Sequence, residues 1–241
     1  MYGLGTIINT AGVILGGVAG ALCGKALKQR HTDTLTMACG VSTLFIGITG
    51  ALEGMLSVEG GSISSGHSMM LVLALTIGGL IGEIINIELG FERLGEWLKK
   101  KTGSESDKGF VNAFVTASLT VCIGAMAIVG SIQDGIYGDY SILATKAILD
   151  FVIITVMSCS LGKGAVFSAL PILVLEGGMT MLASVIKPIM TDLAMSYLSL
   201  VGSVLIFCVG INLVWGKKVR VANLLPALVL AVVASLFPQI F

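Results

Sequence analysis

The chain has 241 residues, of which 55% are hydrophobic and only 12% charged, and its net charge is zero. Soluble domains carry roughly 25% charged residues, and a mean hydropathy of +0.99 leaves too few polar groups to cover a surface in water. A soluble enzyme, a nucleic-acid binder with a basic face and a disordered hub are excluded; a polytopic membrane protein is expected.

A bilayer core is about 30 Å thick and needs about 20 apolar residues per helical span. On that ruler the first span covers residues 4–24. It carries Gly12, Gly16, Gly20 and Gly24, one every fourth residue. These stack on one helix face and open a groove for close helix packing. Asn9 and Thr10 lie in the same span, and a buried amide must find a partner on another helix or a permeant ion. The second span, 36–56, holds Glu53 near its end. The third, 68–89, holds Glu83 and Asn86, one turn apart. Residues 91–108 then form the one sizeable polar segment. Phe91, Leu94, Trp97 and Leu98 mark its first half as an amphipathic helix on the membrane surface. The fourth span, 109–133, is followed by Asp134. In the fifth, 142–161, Lys146 and Asp150 are four residues apart and read as an ion pair near the membrane edge. Gly162-Lys163-Gly164 folds the chain back into the sixth, 164–186. There Glu176 lies near mid-membrane, with Pro171 before it and Gly177-Gly178 after it. Proline removes a backbone donor and paired glycines weaken a helix, so a break beside a buried carboxylate is expected. The seventh and eighth spans cover 193–215 and 221–240. The fold class is an all-α transmembrane bundle of about eight spans, a single integral membrane domain over residues 1–241.

Twelve of the fourteen Lys and Arg residues follow the odd-numbered spans; only Lys146 and Lys187 fall on the other side. Basic residues in short loops mark the cytoplasm, so both termini are expected outside. Trp97 and Trp215 then fall at the inner edge, and Tyr2, Tyr137, Tyr140 and Tyr197 at the outer. Gly16-Gly17-x-x-Gly20 echoes Gly78-Gly79-x-x-Gly82, and Thr43-x-x-Ile46-Gly47 echoes Thr120-x-x-Ile123-Gly124. Such echoes point to a parallel repeat of helix pairs, units 1–57 and 67–135.

The opening Gly3-Leu4-Gly5-Thr6-Ile7-Ile8-Asn9-Thr10, the glycine ladder and Phe45-Ile46-Gly47-Ile48-Thr49-Gly50-Ala51-Leu52-Glu53-Gly54-Met55 resemble the YqgA/YdfK-like family of bacterial inner-membrane proteins. The resemblance runs the whole length. It implies a multi-pass protein of the bacterial inner membrane, in a family of unknown function with a suggested role as a sodium channel or pump. It implies no catalytic or binding residues.

No constellation here supports covalent chemistry. The five cysteines lie in apolar runs without metal-ligand spacing, and two isolated histidines cannot build a metal site. Neither enzyme activity, cofactor nor metal is expected. A carboxylate inside a span is costly and is kept where it faces a bundle interior or a water-filled path. The leading expectation is translocation of a monovalent cation, a proton or a small solute, with the bilayer as the other partner. Glu176, with Pro171, Gly177 and Gly178, would form the central site. Glu83 and Asn86 would lie on the inner path, and Glu53, Asp134, Asn9 and Thr10 on the outer. The alternative is a non-transporting scaffold or signalling protein that acts through residues 91–108. Self-association is left open.

Overall fold

The computed structural model describes residues 2–24, 26–59, 62–237 and 239. Eleven helices, α1 to α11, make up the described chain, with one short antiparallel hairpin, β1 (Leu56–Glu59) with β2 (Ser62–Ser65). Six segments are long and apolar enough to cross a membrane. They are α1 (Leu4–Gly24), α2 (Gln29–Met55), α3 (Ser68–Ile85), α7 (Ser141–Leu161), the run Lys163–Met181 and α10 (Asp192–Trp215). The run Lys163–Met181 is a 3-10 turn, Lys163–Ser168, leading into α8 (Ala169–Met181).

Two expected spans take a different form. Residues 109–133 are not one helix: α5 (Phe110–Cys122) and α6 (Ala125–Tyr137) form an apolar pair bent by 62°. The chain leaves the helix at Ile123, which is extended, and at Gly124, whose φ of +157° suits glycine. The expected eighth span is the shorter apolar run Val221–Ala234, which ends in α11 (Pro226–Ala234). The third span also stops before residue 89. Asn86 turns left-handed at φ 57°, caps α3 with its N–H on the Gly82 carbonyl, and accepts from the Leu89 N–H through its side chain. That starts α4 (Ile87–Lys101), four residues ahead of the expected surface helix. A four-residue helix, α9 (Ala183–Ile186), follows α8.

Lipid tails are as apolar as leucine, so membrane helices associate through close packing and hydrogen bonds. The glycine ladder of α1 supplies the packing. A Cβ on Gly12 would lie 3.0 Å from the Ala147 carbonyl, one on Gly16 2.5 Å from that of Phe151, and one on Gly24 2.7 Å from that of Cys159. Gly20 meets the Thr155 carbonyl in the same way. Four glycines four residues apart thus sit on four carbonyls four residues apart, with α1 and α7 running parallel. Antiparallel pairs complete the bundle. On α2, Gly47 and Gly54 approach Phe207 and Leu200 of α10; on α3, Gly78 approaches Ala227 of α11. The sequence echo between the first and third spans therefore does not extend to their partners. Nor does that between the second and fourth, since Thr43–Gly47 is unbroken helix and Thr120–Gly124 crosses the bend. The core lies where α5, α7, α8 and α10 meet, around Phe114, Ile154, Ile172 and Leu205. Phe45, Leu80 and Ile84 point outward, as lipid-facing side chains do.

Candidate functional site

Four helices converge on a buried charged cluster. Asn9 and Lys146 are each the sixth residue of their helix, on the parallel pair α1 and α7. At 1.5 Å per residue both sit about 8 Å along their spans. Lys146 pairs with Asp150 one turn on, and its Nζ lies 3.8 Å from Glu176 Oε1 of α8. The same ammonium donates to the Val121 carbonyl at 2.8 Å, in the last turn of α5. That carbonyl is offered by the bend at Ile123 and Gly124. Asn9 Nδ2 donates to Glu176 Oε1 at 2.7 Å. All four side chains are at least nine-tenths buried. Glu176 Oε2, Asn9 Oδ1 and Thr10 Oγ1 have no hydrogen-bond partner among the described residues. One ammonium and two carboxylates leave one negative charge uncompensated when all three are ionised. A buried uncompensated charge is expensive. One proton or one monovalent cation balances it.

A second polar region lies at the end of the bundle that carries Lys99, Lys100, Lys101, Lys163 and Lys217, the basic end. A cleft of about 870 Å³ opens there between α4, α5 and α10. It climbs one face of α5 along Val111, Val115 and Leu119, two residues short of Val121. At its mouth Lys217 Nζ lies 2.7 Å from Glu88 Oε1 and 2.6 Å from Glu92 Oε1. Burial opposes the charge on Lys217, but its bonds to the two carboxylates outweigh this and hold the ammonium above its ordinary value. Glu88 is buried, and its Oε2 has no partner among the described residues.

A family described as a protein of unknown function, DUF554, matches residues 4–236. This chain belongs to that family. Its similarity to "Uncharacterized membrane protein YdfK" of Bacillus subtilis (strain 168) is 30% identity over 226 residues, 94% of this chain and 93% of the relative. Similarity to "Uncharacterized protein YqgA" of Escherichia coli (strain K12) is 33% identity over 239 residues, 96% of each. No solved structure matches. Family, fold and apolar helices agree on a multi-pass DUF554 membrane protein.

Within this DUF554 chain the expected path residues part company. Glu176 and Asn9 come together on the buried side of α1 and α8, while Thr10, the next residue of α1, is half-buried and makes no hydrogen bond to Glu176. Gly177 packs beside Thr6, and Gly178 has open space beside it. The helix stays intact at both glycines, because Pro171 falls in the first turn of α8, where its missing N–H costs little. The break beside the carboxylate comes instead from α5 and α6. Asp134 is buried and caps α1, accepting from the Gly3 N–H at 3.2 Å and the Gly5 N–H at 2.9 Å. Glu83 pairs with Arg220 and accepts from Asn223 Nδ2 at 2.6 Å, at the basic end. Asn86 is an exposed helix junction and Glu53 is exposed on α2, both away from the cluster. Sequence reasoning assigned Lys146 and Asp150 to the membrane edge, and it missed Glu88 and Lys217. The four-residue spacing of Lys146 and Asp150 was visible; their approach to Glu176 was not.

Proposed function

We propose that this protein translocates a monovalent cation or a proton across the bacterial inner membrane, with the Glu176 cluster as its central site. The observation that carries this reading is the buried set of one ammonium and two carboxylates, with unpartnered oxygens on Glu176 and Asn9. Oxygen ligands at a helix break are what transporters offer to small cations, and intramembrane acids mark ion and proton paths. The cleft at the basic end is lined by α5 as far as Leu119, on the helix whose Val121 carbonyl meets Lys146. The basic loops support placing that end in the cytoplasm, which puts both termini outside.

The test is ion flux in liposomes holding the purified protein, scanning sodium, potassium and protons, with Glu176→Gln as the paired control. Flux of one of these ions that the substitution abolishes is the expected result. Absence of all flux from folded protein would overturn the reading and favour a scaffold acting through α4.

A further inference from the structure

We propose that the cleft at the basic end binds a small organic ammonium, and that Lys217 is a tethered ammonium competing for the same carboxylates. This goes beyond the transport reading and does not rest on it, because it concerns binding at a separate place.

The chain's own side chain outlines the site. Lys217 Nζ sits within 2.7 Å of Glu88 and 2.6 Å of Glu92, so the two carboxylates are spaced to hold one ammonium between them. The two sides of this contact differ in freedom. Lys217 is 51% exposed, whereas the Glu88 side chain is 7% exposed. Lys217 follows Gly216, a left-handed residue at φ 76° just past α10. Glu88 is fixed in the first turn of α4, its N–H donated to Asn223 Oδ1 at 2.8 Å. The lysine can swing away; the carboxylate cannot. Glu88 lines the cleft, and its second oxygen, the buried Oε2, has no partner among the described residues. A free ammonium has three donors to distribute, and no tether restricts its approach.

Size and lining set the rest of the ligand. About 870 Å³ is far more than a bare ion fills and lies within the range of roughly 300–1,000 Å³ typical of small-molecule sites. The apolar wall is Val115, Leu119 and Leu213, and Arg93, Glu96, Lys100 and Lys108 add further charges around the cleft. An amine with a short aliphatic body fits that order of groups.

The experiment uses the full chain in lipid nanodiscs, with n-butylammonium chloride as the probe and n-butanol and sodium chloride as controls. Binding is read by titration calorimetry, and folding by circular dichroism. The wild type should bind butylammonium saturably and neither control. Lys217→Met, which removes the competitor, should bind it at least tenfold tighter. Glu88→Gln should lose binding; where that variant does not fold, Glu92→Gln should weaken binding several-fold. Butanol binding as well as butylammonium would overturn the proposal. So would a folded Lys217→Met protein whose affinity is unchanged or lower, or a wild type with no saturable binding.

Discussion

Lys146 is the residue on which the buried cluster turns. It meets Asp150, Glu176 and the Val121 carbonyl at once. Removing one partner from a buried ion pair typically costs about 3–5 kcal/mol, because the other charge is left alone. Lys146→Met is expected to lower stability by about that much, read as a fall in the unfolding midpoint in detergent. Pairing it with Glu176→Gln should recover part of the loss, since residues in contact couple by about 0.5–3 kcal/mol; strictly additive losses would contradict the contact. Glu176 stood out in the sequence as an acid inside an apolar run; the structure buries it against Asn9 and Lys146, about 8 Å along their helices. The facing of Lys146 was not legible there, because spacing along one helix does not say which neighbour that helix turns toward. Asp134 was harder still: it caps a helix 129 residues away, and no local pattern records that. The exposed Glu83–Arg220 pair was equally hidden, and such pairs contribute little to stability.

Among the elements, the glycine ladder of α1 was read correctly as a packing face, and the structure adds its partner. The four carbonyls of α7 leave no room for a Cβ at Gly16 or Gly20. Gly16→Val is expected to push α1 off α7 and to destabilise by about 1–3 kcal/mol, as overpacking does, with loss of folded protein in size-exclusion profiles. Gly90 of α4 and Gly178 of α8 have nothing within 4 Å of a built Cβ. Alanine at either should be tolerated and should stabilise by about 0.5–1 kcal/mol through helix propensity, measured by the same unfolding midpoint. A drop at Gly90→Ala would contradict the open surroundings. The expected helix break was assigned to α8 and occurs between α5 and α6. Proline and glycine counts identify weak points but not which weak point the packing uses; α8 keeps its helix with Pro171 in the first turn, while α5 and α6 bend where Ile123 leaves the helix.

At the scale of the whole molecule, apolar length made the fold class plain and located the six long segments. Length could not separate a straight span from a bent pair, nor fix the short run Val221–Ala234 as a full crossing. The proposed orientation has a direct check. In a cysteine-free background, Ser65→Cys in the hairpin and Thr102→Cys after α4 lie at opposite ends of the bundle. A membrane-impermeant thiol reagent added to intact cells is expected to label the first and not the second. The reverse pattern would invert the topology and place the basic end outside.

The pairing of α1 with α7 and α8 also dictates a timetable for making the protein. Asn9 finds Glu176 across 167 positions of chain. At about 5–20 residues per second, synthesis of that interval takes on the order of 10–30 s. During that time α1 has left the ribosome with its glycine groove unfilled, its amide unmatched and its cap, Asp134, not yet made for most of the wait. Although made before its partners, α1 is thus among the last helices to be locked in place, and it depends on lipid or an insertion factor to hold it meanwhile. Chains truncated before α7 should leave α1 open to membrane proteases, while the full chain protects it.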